Sequence, residues 1–466
     1  MAHGLPDSNA NQSGWTYTIQ SFIRNEAFGG ILLLLGAAIA MIWANSAWSD
    51  DYFDLLHAKI TIGSPEVHIS KSLQHWVNDG LMVLFFLLVG MEIKREILVG
   101  ELASVSRAAL PAVAACGGAI VPAIIFAAMN WGTDGVHGWG IPMATDIAFA
   151  VGVLALVGSR VPFGLKVFLT ALAIVDDLLA VLVIAIFYTD DLNLPALGGA
   201  AAVLATLILA NRLQVRTLVV YLTLGFALWL FVLQSGIHAT VAGVLLAMTI
   251  PTNARINPEA FLNRAEGILG RFERESLAQR TVLSDGRLQE NIQELEDAVN
   301  DVEAPLQNLE HALQRWVSFL IVPIFAIANA GVSLDVDLGE AFTSRITLGV
   351  IIGLVVGKQI GITLSAWASV RFGLAALPEG VTWKQIYGVS WIAGIGFTMS
   401  LFVAELAYDT EEYLTDAKIG ILVASTIAGI LGWLVLSKWI LDEPEVTATP
   451  GRVSGIPDRA ETDPGT

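Results

Sequence analysis

The chain has 466 residues, is 55% hydrophobic and 15% charged, and has a mean hydropathy of +0.66. A soluble protein of this length carries about a quarter charged residues, so the apolar excess must face lipid. The formal net charge of -18 excludes a basic nucleic-acid footprint. The single cysteine, Cys116, excludes a disulfide framework and reads as a small packing residue inside an apolar run.

Residues 1–25 are polar, lack a basic n-region and lead into a full-length apolar stretch. They read as a cytoplasmic N-terminal segment with no cleaved signal peptide. About 12 apolar segments follow, each near the roughly 20 residues that span a bilayer. They are read at 26–45, 74–97, 108–130, 136–157, 162–188, 196–211, 216–233, 236–250, 312–333, 344–368, 387–408 and 417–440. Transmembrane segments one to eight thus occupy 26–250 and nine to twelve occupy 312–440, with a cytoplasmic helical insertion at 251–311 and an acidic cytoplasmic tail at 441–466.

Orientation follows from Lys and Arg in the short loops. Lys94, Arg95, Arg107, Arg160 and Lys166 are among twelve that fall on the side of the N-terminus, against Lys59, Lys71, Arg345 and Lys418 on the other. Both termini are therefore expected in the cytoplasm.

Between segments one and two, KITIGSPEVHIS (59–70) alternates around a Gly-Ser-Pro-Glu turn and reads as a periplasmic β-hairpin. Its free edge offers pairing to a second copy, which makes a homodimer through 59–70 an expectation. In the insertion, Leu288, Ile292, Leu295, Val299, Val302, Leu306, Leu309 and Leu313 follow a heptad spacing on a helix running into segment nine, with Pro305 as a kink or restart. Leu262, Leu269 and Phe272 would supply an antiparallel partner helix; a dimer seam is the alternative. The insertion carries no enzymatic motif.

Four charged residues stand in segments where each costs roughly 2.5–3.5 kcal/mol on insertion scales. Asp176 and Asp177 lie near the middle of segment five, Asp146 lies in segment four and Lys358 in segment ten. Three acids against one base at similar depth suit a cation site better than a neutral structural network. Neighbouring helical residues point roughly 100° apart, so one of Asp176 and Asp177 would face Lys358 and the other the ion. Sodium is a hard cation that takes oxygen ligands. Asp177, Asp146, and the hydroxyl and carbonyl of Thr145 would supply them.

Segment four is interrupted by Pro142 and the Ala-Thr-Asp run, and segment eleven by WIAGIGFT (391–398). Freed backbone is tolerable at membrane depth only where it lines a cavity. Paired broken segments in the two halves point to inverted repeats with the site between them.

NDGLMVLFFLLVGMEIKRE (78–96), ATDIAF (144–149), AIVDD (173–177), SGIHAT (235–240), FAIANAG (325–331) and Gly357-Lys358 resemble, in the same order, blocks of NhaA-type sodium/proton antiporters. The resemblance covers about residues 20–440 apart from the insertion. It implies an all-α polytopic protein of the bacterial inner membrane, with inverted repeats and two broken, crossing helices. It also implies a pH-regulated, electrogenic secondary transporter that extrudes Na+ or Li+ in exchange for protons by alternating access.

By the same resemblance Asp146 and Asp177 would bind Na+ or protons alternately, Asp176 would pair with Lys358, and Thr145 would lie at the helix crossing. Glu92, Arg95, Glu96, Glu310 and His311 match a cytoplasmic charged cluster tied to pH activation, and His238 a histidine linked to pH response. Read without the resemblance, these six are solvated loop or segment-end residues. The heptad insertion and the acidic tail depart from the family pattern. A sodium-coupled symporter and an intramembrane aspartyl protease are the rival readings, though the G-x-G-D pattern of the protease class is missing. No phosphate-binding loop is present, so direct ATP drive is not expected; the antiporter reading calls for neither a cofactor nor enzymatic turnover.

Overall fold

The computed structural model describes residues 28–441, except 64–67, 159, 190–191, 255, 277–285 and 336–337. The N-terminal segment and the acidic tail lie outside the described residues. Each of the twelve apolar segments contains helix. Six helices are long and apolar enough to cross a membrane: Val105–Met129, Phe163–Phe187, Leu194–Arg212, Pro305–Asn329, Arg345–Arg371 and Glu411–Lys438. Three bent pairs raise the number to nine.

The other three segments fall short of that measure for visible reasons. Met82–Val99 carries Glu92, Lys94, Arg95 and Glu96 at one end, Leu218–Leu233 has 16 residues, and Val241–Thr249 has 9. Lys94 nonetheless ties two of them together, since its ammonium donates to the carbonyls of Met248 at 2.8 Å and Ile250 at 2.5 Å. A cation at a helix C-terminus satisfies the last carbonyls and opposes the helix dipole.

The helix Ser49–His57, which lies at 113° to Phe28–Ala44, is a turn of chain that apolar periodicity did not separate from its loop. It packs by Tyr52, a buried ring whose hydroxyl donates to the Ile327 carbonyl at 2.7 Å. The β-hairpin forms from Lys59–Gly63 and His68–Ser72 in antiparallel register, Lys59 opposite Ser72, and reaches two residues further than the alternation implied. Its first strand is exposed throughout.

Small residues set the packing around segment ten. Gly117 of Val105–Met129 and Gly361 of Arg345–Arg371 face each other so closely that a Cβ on either would strike the other helix's backbone. Such contacts let membrane helices approach where no hydrophobic drive favours it. Gly353–Gly357 widens into a π-type turn just before Lys358, and Pro122 rests against that turn. Cys116, by contrast, is turned outward on Val105–Met129 and is not packed inside. It lines an apolar recess with Trp139, Met143 and Leu179.

The insertion takes the restart expected at Pro305 and corrects the heptad reading in the row it buries. Its second helix, Gly286–Val302, stops before Ala304, and Pro305–Trp316 begins anew with Pro305 in its first turn. Proline has no N–H to continue the preceding helix and disfavours helical geometry in the residue before it. The inward row runs Leu288, Asn291, Leu295, Ala298, Val302, of which Leu288, Asn291 and Ala298 are buried and Leu295 and Val302 half-buried, while Ile292 and Val299 are exposed. The antiparallel partner exists, as Pro258–Ser276, held by Arg264–Asp301 at 3.1 Å and by an Arg271–Glu294 ion pair. It turns Ala265 and Ile268 inward and leaves Leu262 and Leu269 exposed; Phe272 is half-buried.

Candidate functional site

Segments four and eleven are each split into two half-helices around a short break, extended at Ala144–Asp146 in the first and a turn through Ala393–Gly396 in the second. Asp134–Met143 meets Ile147–Val157 at 43°, and Trp383–Ile392 meets Phe397–Ala407 at 49°. Pro142 and the glycines of the second break remove the hydrogen bonds or side chains that would keep either helix continuous. The freed backbone groups then satisfy one another. The Asp146 N–H donates to the Ile395 carbonyl at 2.7 Å, and the Thr145 hydroxyl donates to the Ala393 carbonyl at 2.7 Å. Farther out, the Ser400 hydroxyl donates to the Ile141 carbonyl at 2.7 Å and Ser425 accepts from the Phe397 N–H at 3.1 Å.

Asp146 stands where the N-termini of two half-helices converge. One carboxylate oxygen accepts the Phe149 N–H at 3.0 Å and caps Ile147–Val157. The other accepts the Thr398 N–H at 3.1 Å and the Thr398 hydroxyl at 2.5 Å, at the start of Phe397–Ala407. Helix N-termini present unpaired N–H groups and positive dipole ends, so a buried carboxylate is stabilised there twice over.

Lys358 reaches this crossing from segment ten. Its ammonium donates to Asp176 at 2.7 Å and to the Thr145 hydroxyl at 2.9 Å, and all three residues are buried. The Thr145 hydroxyl thus bridges Lys358 and Ala393, accepting from the ammonium and donating to the Ala393 carbonyl. Asp177, the next residue, is buried with Oδ1 lacking any hydrogen-bond partner. Asp176, Glu92 and Asp146 are the negative groups close enough to act on it electrostatically, and Lys358 the positive one. The structure therefore gathers Asp146, Thr145, Asp176, Asp177 and Lys358 into one centre.

Thr398 belongs to that centre and sequence reasoning passed over it. The signal was present: a hydroxyl residue at the start of the second half-helix, directly after the Gly-Ile-Gly break. Nothing in one sequence says that it meets Asp146, 252 positions earlier.

The six remaining candidates divide between the two ends of segment two. Arg95 pairs with Glu310 at 3.3 Å and Glu96 at 3.7 Å, with Glu92 and Glu310 buried and His311 exposed beside them. Glu96 also accepts the Glu101 N–H at 3.0 Å. His238 lies elsewhere. Its ring is 3.9 Å from the Asp79 carboxylate, 3.3 Å from the Thr240 hydroxyl, and edge-on to Phe402. Thirteen residues separate Asp79 from Glu92, about 20 Å along a helix, so His238 is remote from the Arg95 cluster. Among the described residues no group of three or more His, Cys, Asp or Glu is arranged to hold a metal ion. Any cation at the crossing would thus be held by few carboxylates, with hydroxyls, carbonyls or water completing its shell.

The model of the family described as Na+/H+ antiporter 1 matches residues 20–436. The chain is 47% identical over 415 residues to a protein of Oleidesulfovibrio alaskensis named Na(+)/H(+) antiporter NhaA, covering 89% of this chain and 92% of that one. It is 47% identical over 421 residues to Na(+)/H(+) antiporter NhaA 1 of Saccharophagus degradans, covering 90% and 91%. A third relative, Na(+)/H(+) antiporter NhaA of Wolinella succinogenes, is 46% identical over 431 residues, covering 92% and 95%.

Proposed function

Because this chain belongs to the Na+/H+ antiporter 1 family, we propose that it exchanges sodium ions for protons at the carboxylates of the helix crossing. The observation that carries the reading is the unequal state of three buried acids. Asp176 is neutralised by Lys358 although its Oδ1 accepts no hydrogen bond, Asp146 is held by three donors, and Asp177 keeps one oxygen with no partner and is not paired to Lys358. A buried acceptor without a donor is costly unless a cation or a proton occupies it.

Either Na+ or a proton satisfies Asp177, and the two cannot do so together. Competition for one oxygen set, with the loaded site opening alternately to each side, is enough for exchange. Asp146 completes the ion's shell and holds the half-helices in place, so loading is felt by both broken segments. Li+, with the same charge and hard-oxygen preference, follows the same route. With two protons per sodium, one net charge moves per cycle, and the potential contributes about 2.3 kcal/mol per charge per 100 mV. An inside-negative potential then draws protons in and drives sodium out.

The relatives' names favour exchange over a sodium-coupled symporter or an aspartyl protease, and the reading assigns transport and no catalysis. Twelve apolar segments in a bacterial inner membrane, with the Lys and Arg bias, support both termini being cytoplasmic, which would put the insertion 251–311 and the tail 441–466 inside. On that orientation Glu92, Arg95, Glu96, Glu310 and His311 form a cytoplasmic cluster suited to pH regulation, and His238 with Asp79 lies toward the periplasm. The exposed first strand of the hairpin, Lys59–Gly63, supports pairing with a second copy.

The test is a sodium-driven pH change in proteoliposomes, repeated across a range of pH. Because protons and sodium compete, the apparent KM for sodium should rise by up to about tenfold per pH unit of acidification for each competing proton. Near-normal turnover of reconstituted Asp177→Asn would refute the site.

A further inference from the structure

The cytoplasmic helical hairpin has two unlike flanks. On the first helix the inward residues Ala265 and Phe272 are each preceded by an arginine, Arg264 and Arg271. On the second, Leu295 and Val302 are each preceded by an acid, Glu294 and Asp301. These four meet as the Arg264–Asp301 and Arg271–Glu294 ion pairs, so one flank of the hairpin is closed by charge. The residues that follow inward positions fall on the other flank. They are Leu262 after Phe261, Leu269 after Ile268, Ile292 after Asn291 and Val299 after Ala298.

All four are apolar and open to solvent, at 56%, 54%, 38% and 39% exposure respectively. Each pair is seven residues apart, two helical turns, so each forms a straight stripe. The stripes are bordered one turn away by Glu259, Glu266 and Glu273 on the first helix and by Glu296 on the second, with Glu303 just past that helix's end. No Lys or Arg occupies any of these border positions.

We infer that this flank docks a cationic amphipathic helix of another protein, completing a three-helix bundle. Its apolar face would cover Leu262, Leu269, Ile292 and Val299, and its Lys or Arg would face the glutamate borders. The charge borders decide between occupants. A second copy would bring its own glutamates against these, and so would an anionic lipid surface; like-charge contact is costly. The chain's own tail carries six acids against two arginines after Leu441, so it is repelled as well. A helix docked here sits a two-residue connection away from Pro305–Trp316, which carries Glu310.

The full-length protein in phosphatidylcholine nanodiscs would be titrated with a fluorescent Leu/Lys amphipathic peptide of about five turns, and with the same peptide carrying Glu for Lys. The lysine peptide is expected to bind and the glutamate peptide is not. Leu269→Gln with Ile292→Gln should weaken binding by about tenfold or more, since both contacts are apolar. Glu266→Lys with Glu296→Lys should transfer the preference to the glutamate peptide. Binding that ignores either pair of substitutions would overturn the proposal. So would hairpin-to-hairpin crosslinking that rises with protein concentration and disappears in Leu269→Gln with Ile292→Gln, because the occupant would then be a second copy.

Discussion

Removing the Asp176 carboxylate should destabilise the protein more than removing both Asp176 and Lys358. The pair is fully buried, with Nζ 2.7 Å from the carboxylate oxygen, and neither side chain has solvent contact. Breaking such a pair by losing one partner costs about 3–5 kcal/mol, because the remaining charge is stranded in low dielectric. Here the Thr145 hydroxyl, 2.9 Å from the ammonium, survives as a neutral partner. It offsets part of the cost, so about 3 kcal/mol is expected for Asp176→Ala. Lys358→Ala strands the carboxylate in its turn and should also destabilise. The double substitution leaves neither charge stranded, and a coupling of about 2 kcal/mol or more should emerge from the cycle. Thermal unfolding in detergent of the wild type, both single variants and the double variant measures this directly. Additive effects would mean that the pair contributes nothing as a pair, and the reasoning about Lys358 would fail. If the Lys358–Asp176 pair carries one of the two protons exchanged, the double variant would still move sodium, with fewer protons per ion.

Asp146→Asn and Asp177→Asn should both abolish sodium-dependent proton movement, yet only the first should also lower thermal stability, by about 1–3 kcal/mol. An amide at 146 must turn its NH2 against the Phe149 or Thr398 donors, whereas Asp177 has an oxygen with no donor facing it; equal stability of the two variants would contradict this. Thr398→Val removes a hydroxyl donated to the Asp146 carboxylate, worth about 1.5 kcal/mol, and should raise the sodium KM about tenfold while Thr398→Ser restores it. Replacing residues 256–302 with a short Gly-Ser linker should leave exchange intact, since none of the gathered site residues lies there; a correctly inserted deletant that is inactive at every pH would show otherwise.

Much of this protein follows from its sequence because the bilayer is a severe solvent. Long apolar runs have one cheap destination, and a charge inside one is conspicuous, so Asp146, Asp176, Asp177 and Lys358 stand out without any coordinates. Proline and paired glycines likewise mark where segments four and eleven break, since both act on the backbone of their own residue. The insertion shows where this local reading ends. Heptad spacing located its helices, but two adjacent rows, Leu288-Leu295 with either Ile292 or Asn291, fit the spacing about equally well. Contact with the partner helix chose the row containing Asn291 and Ala298 and left Ile292 and Val299 outside.

Tertiary structure alone decided who meets whom at the site. That Thr398 serves Asp146, that the Thr145 hydroxyl bridges Lys358 and Ala393, and that Asp176 rather than Asp177 takes the Lys358 ammonium all depend on the crossing of two breaks about 250 residues apart. Depth in the membrane can be read residue by residue, because each side chain bears its own transfer cost. Hydrogen-bond partnership cannot, because it is a property of two chain segments brought together by the packing of all the others.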